Sequence, residues 1–292
     1  MKKSLNKIEG AIDYIVLKKE KKYIIFFLDN HNPSNYCKTK SRNIELLFED
    51  FMQTNSVFIL EEIIGYNERF INAFNNTNHL NKYLQFYNKY KTNKKIIPID
   101  IRLLFDNFDE VDKFSNLDQF FDICECTNPD IIKIKNVINK CITISKSHKE
   151  HFDNLKDKYI KIKNRIINEN ITNLKCNNYN IDYIQLNYPF VDLNEDICNQ
   201  IDIFTCALLE LYGTAQIELS TAKYNIVYLG AFHCVSMFYL LEKNYGYRKI
   251  KGLAKSRESN ETHDLLSYDR FKLRSLDTFN NSCIDFINYI DL

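Results

Sequence analysis

The chain has no tryptophan among its 292 residues, and only six glycines and four prolines. The residues in excess are Asn, Lys, Ile, Tyr and Phe, whose codons are rich in A and T, so the skew reflects a biased genome. Polar runs such as Asn75-Asn76-Thr77-Asn78 therefore carry no functional weight. No apolar run reaches the roughly 18 residues that a membrane-spanning helix needs, so no transmembrane segment and no membrane partner are expected. Met1 to Gly10 is charged and lacks an apolar h-region, so no signal peptide is expected. A basic excess is also missing: the net charge is +1, which argues against a nucleic-acid partner and against a magnesium-dependent nucleic-acid enzyme. The lysine clusters at Lys18-Lys19-Glu20-Lys21-Lys22 and around Lys91 read as solvated turns. Nine cysteines are present, yet none form a C-x-x-C pair. They read as reduced thiols in an intracellular, cytoplasmic protein without structural zinc.

What is present is a folded composition, 45% hydrophobic and 26% charged. The most informative stretch is Tyr23-Ile24-Ile25-Phe26-Phe27-Leu28-Asp29-Asn30-His31. Its unbroken apolar run predicts a strand buried on both faces, ending in an acid and a histidine before Asn32-Pro33. Ile12 to Leu17 predicts a preceding strand, joined to it as a hairpin through the Lys18–Lys22 turn. Ile44, Leu47, Phe48, Phe51 and Met52 keep helical spacing. Ser56 to Leu60 predicts a second buried strand ending in Glu61-Glu62, and Phe70 to Tyr87 a helix. Lys95 to Ile99 predicts a third strand ending in Asp100-Ile101-Arg102, placed near an edge by Pro98.

Strands alternating with helices predict an α/β fold, a mainly parallel sheet flanked by helices with an inserted helical subdomain. The boundaries read as 1–102 for the first half of the α/β domain, 103–180 for the helical insertion or lid, and 181–292 for the second half. Within the last part, a helix from Ile203 is expected to stop near Gly213. Asn225 to Leu229 predicts a fourth strand, which runs into Gly230-Ala231-Phe232-His233 and a helix from Val235 to Lys243. The tail from Ser256 has no readable pattern.

Ligands in open α/β sheets sit outside the carboxyl ends of the strands. Here those ends carry Asp29 and His31, Glu61 and Glu62, Asp100 and Arg102, and His233. Histidine oriented by carboxylate can take a proton from water, or the two can hold a divalent metal that acidifies bound water. Arg102 can grip an anionic substrate group or an oxyanion. The bland reading is that a carboxylate after a strand caps the next helix. His79, His148, His151 and His263 take the structural reading.

The order of strand–acid-x-His, strand–Glu, strand–Asp-x-Arg and strand–Gly-x-x-His–helix resembles the erythromycin esterase, Tiki, ChaN and TraB superfamily. Leu28-Asp29-Asn30-His31 matches the first motif, usually Gly-Glu-x-His, and Gly230-Ala231-Phe232-His233 matches the second. The chain is also similar to divergent members from large DNA viruses. The resemblance implies a hydrolase of a small-molecule or peptide substrate, esterase- or metalloprotease-like. His31 would be general base or metal ligand, Asp29 its partner, Glu61 or Glu62 a second acid, and His233 a ligand or electrostatic helper. It allows a divalent metal (Mn, Co or Zn) on His31, His233 and Asp29, or no cofactor at all. Leu28 in place of Gly and Asp29 in place of Glu open the alternative: a catalytically inactive viral structural or interaction protein on the same fold. Its partners would be further copies of itself or virion components, in the host cytoplasm or the virion.

Overall fold

Ile24 to Leu28 are completely buried, as a strand covered on both faces requires. They belong to β3 (Lys22–Asp29), which pairs antiparallel with β2 (Asp13–Lys19) through the two-residue turn Glu20-Lys21. Glu20 takes a left-handed φ of 53° to close that turn. The computed structural model describes residues 7–9, 11, 13–29, 42–63, 86–105, 114–169, 193–252 and 283–285. The chain divides into two units, one of residues 1–99 with 216–292 and the other of residues 100–215.

The first unit is built on a six-stranded sheet of order β6-β5-β7-β3-β2-β8, adding β5 (Ser56–Ile63), β6 (Ile96–Asp100), β7 (Tyr224–Gly230) and β8 (Arg248–Gly252). β7 runs parallel to both β3 and β5, whereas β2 pairs antiparallel with β3 and with β8. The sheet is therefore mixed, parallel across β3, β7 and β5 and antiparallel on the side of β2 and β8. The antiparallel β2–β3 pair is the expected hairpin, since a two-residue turn can only return the chain antiparallel. β8 escaped the sequence reading because Arg248-Lys249-Ile250-Lys251 is charged, as suits an edge strand. Pro98 lies in β6 at the opposite edge, where a missing N–H costs least. A small separate sheet joins β1 (Lys7–Glu9) to β4 (Arg42–Asn43) and to β9 (Cys283–Asp285), the one described piece of the tail.

Among the described residues, helices pack on the large sheet. α1 (Ile44–Met52) buries Ile44, Leu47, Phe48, Phe51 and Met52, the residues at helical spacing. They pack on the alternate strand residues Ile25, Phe27, Phe58, Leu60, Ile226 and Tyr228. Phe48 is the hub, with the rings of Phe27, Phe58, Phe86 and Tyr228 at 5.6, 5.6, 5.4 and 5.7 Å, all four edge-on at 62–78°. A later helix, Ala231–Asn244, packs against β3, β7 and β2.

The second unit is helical. α2 (Ser115–Phe120), α3 (Pro129–Ile144) and α4 (Lys146–Asn168) are followed by α5 (Leu193–Leu219), and the helix 231–244 is α6. Asn128 caps α3, its Oδ1 accepting from the backbone N–H of Asp130 and Ile131, with Pro129 in the first turn. Ser145 ends α3 and caps α4 by accepting from the N–H of His148. Polar as α4 is, Phe152, Leu155, Tyr159 and Ile166 anchor it. Tyr159 stacks on Phe121 at 5.3 Å and on Phe204 of α5 at 6.0 Å. α5 runs through Gly213, where a stop was expected. Leu211, Tyr212, Ala215 and Ile217 are buried around that glycine, and their burial outweighs the roughly 1 kcal/mol that glycine costs inside a helix. Among the described residues no helix is long and apolar enough to cross a membrane. The expected helix from Phe70 to Tyr87 falls largely outside the described residues, of which 86–90 are helical.

Removing the hub ring leaves four aromatic rings facing a cavity. Phe48→Ala is expected to lower unfolding free energy by about 3–5 kcal/mol in urea titration, and Phe48→Leu by less than half of that.

Candidate functional site

The register of the parallel strands decides which sequence motifs meet. β7 lies between β3 and β5, with Leu28 opposite Leu229 and Asp29 opposite Gly230 on one side, and Leu60 opposite Tyr228 on the other. The carboxyl ends of three strands therefore lie side by side, although their segments are far apart in the chain. Glu61 and Glu62 fall at the carboxyl end of β5, which runs one residue further, to Ile63. The described pairing of β5 with β7 runs from Ser56 to Leu60. His31 lies outside the described residues, as do His79 and His263.

Gly230 ends β7 and is at once the N-cap of α6, with φ −49° and ψ 139°. The helix begins with no intervening loop, so its first backbone N–H groups are presented at the strand ends without a side-chain cap. That end of the helix carries partial positive charge and favours developing negative charge. His233 is the third residue of α6 and only 6% exposed. Cys234 follows it, fully buried, with Sγ 3.5 Å from the carbonyl of Phe27 and 3.4 Å from that of Leu229. Leu28 is completely buried, so its side chain fills space that a glycine would leave open.

Asp100 and Arg102 belong to the second unit by residue range and hold each other. Arg102 donates from Nε to Oδ1 at 2.8 Å, from Nη2 to Oδ2 at 2.5 Å, and from its backbone N–H to Oδ1 at 3.1 Å. The carboxylate is nearly buried and the guanidinium about one quarter exposed. The side-on fork fixes the 3₁₀ turn 102–104 that follows β6.

Two histidines read as structural are buried in the first turns of α4. His148 is fully buried and His151 is 6% exposed, with ring centroids 6.5 Å apart. Burial pushes the His148 pKa down to about 4. Among the described residues no group of three or more His, Cys, Asp or Glu is placed to hold a metal ion. The sequence reading missed one feature. Lys19, Lys21 and Lys22, read as a solvated turn, line a cavity together with Lys223; their density in a short hairpin turn was the available signal.

Two outcomes are expected. Asp100→Asn should lower stability by about 2 kcal/mol in chemical denaturation, since it weakens a charge-assisted fork on a nearly buried group. Because His148 has a folded pKa below its unfolded value of 6.5, its contribution is complete above pH 6.5 and is lost as pH falls toward 4. That loss is on the order of 3 kcal/mol, and His148→Leu should flatten the melting temperature against pH across this window.

A scan against family models finds no match, and comparison with curated proteins and with solved structures finds none either, so the functional assignment rests on the strand-end geometry.

Proposed function

We propose that the chain is a hydrolase of the erythromycin esterase, Tiki, ChaN and TraB type, acting on a small ester or peptide at the carboxyl rim of β3, β7 and β5. One observation carries this reading: Asp29 is in register with Gly230, and His233 follows within the first turn of α6. In this reading His31, two residues beyond Asp29, takes the proton from the attacking water, and Asp29 orients it. Glu61 or Glu62 supplies a second acid, and His233 stabilises charge at the rim. The positive end of the α6 dipole at this rim would favour an oxyanion. Two imidazoles and a carboxylate suit Mn, Co or Zn, and a metal held by His31, His233 and Asp29 would supply acidified water. Asp100 and Arg102 take the structural role that their mutual pairing supports.

A second reading, a catalytically inactive interaction protein on the same fold, is favoured by the complete burial of Leu28 and the near-complete burial of His233. The full chain should hydrolyse p-nitrophenyl acetate or short peptides, alone or with Mn, Co or Zn. His31→Ala and His233→Gln should each reduce kcat/KM by about 100-fold or more, with His31→Ala melting as the parent does. Turnover equal to buffer, or unchanged in both variants, removes the hydrolase reading. A stable homo-oligomer by light scattering without turnover supports the second.

A further inference from the structure

At the other end of the large sheet, four segments line an open depression of about 460 Å³. They are the β2–β3 turn with Lys19, Glu20, Lys21 and Lys22, Asn55 before β5, the stretch from Glu218 to Lys223, and Tyr247 before β8. Backbone bonds tie the walls together: Tyr23 donates to the carbonyl of Lys223 at 2.8 Å, and Tyr224 to that of Asn55 at 3.1 Å. The volume falls within the range of small-molecule sites. Along β3, from Lys22 to Asp29, the two ends of the sheet are roughly 23 Å apart, so this cavity is separate from the carboxyl rim.

Its charges are arranged. Glu218 is held in the wall by Lys19 at 3.4 Å and by the hydroxyl of Tyr247, which donates at 2.7 Å. Lys22 donates to the carbonyls of Ile217 and Glu218 at 3.0 and 3.1 Å, placing an ammonium against the negative end of α5. Lys21 and Lys223 are exposed at the rim, the latter with its ammonium 4.8 Å from the Tyr224 ring. Ammonium groups in the lining outnumber carboxylates by two, and Asn55 and Thr221 add neutral donors.

We propose that this cavity binds a small phosphorylated molecule. The excess of positive charge selects an anion. The lining holds lysines and no arginine, and lysine binds phosphate as a point charge whose donors follow the oxygens of a tetrahedral group. The space exceeds that of a bare phosphate, so the ligand is a phosphate ester.

The test is calorimetric titration of the full chain at low salt with ribose 5-phosphate, AMP, ribose and acetate. The two phosphate esters should bind, while ribose and acetate should not. Lys21→Gln and Lys223→Gln should each weaken binding about tenfold while leaving the melting temperature unchanged, because both side chains are exposed. Vesicles containing phosphatidic acid separate a free ester from a lipid headgroup. No heat from either ester, equal binding of ribose, full affinity in both variants, or capture only by vesicles would each overturn the proposal.

Discussion

β7 is buried from Tyr224 through Leu229, so its backbone N–H and C=O groups must find partners inside the protein. β3 on one side and β5 on the other meet that demand, both in parallel. The side chain of Asn225 adds to the seam, donating to the carbonyls of Tyr23 and Ala222 at 3.3 and 3.4 Å. Because β7 comes late in the sequence, the sheet closes only when this strand inserts between two earlier ones. The same insertion brings Gly230 and the start of α6 beside Asp29. The core and the candidate rim thus follow from one pairing.

This explains what could be read from sequence. β3, β5, β7 and α1 were legible because burial writes itself locally: Ile24 to Leu28 form an unbroken apolar run, and Ile44 to Met52 repeat at helical spacing. The hairpin was legible from the charged turn between two apolar stretches. β8 was not, because an edge strand of arginine and lysines looks like a loop. Gly213 misled because a local stop signal is weaker than burial of the residues around it. At the candidate site the residue types were visible at the strand ends, but their adjacency depended on β7 lying between β3 and β5, which no local pattern encodes. Glu61 and Glu62 show the converse, since the strand continues beyond the apolar run that announced it.

Scarcity of glycine bears on both ends of the sheet. Helices commonly close on a glycine in a left-handed conformation that satisfies the last carbonyls. α1 ends instead at Gln53, and Lys95 reaches over to donate to the carbonyls of Met52 and Thr54, both at 2.7 Å. Lys22 does the same for α5. In each case an ammonium from a neighbouring strand or turn adds to the local backbone bonds at the helix end and offsets its negative charge. Such a cap stabilises the helix and also brings positive charge to the amino-terminal side of the sheet. At α5 the local charge balance is reversed, so a helix end that would repel an anion becomes one wall of a cavity with net positive lining. The carboxyl rim differs, since there the N-terminal end of α6 follows Gly230 directly. The two ends of the sheet therefore differ in kind: lysines gather at the amino-terminal end, whereas the carboxyl rim sets Asp29, Glu61 and Glu62 beside the positive end of the α6 dipole.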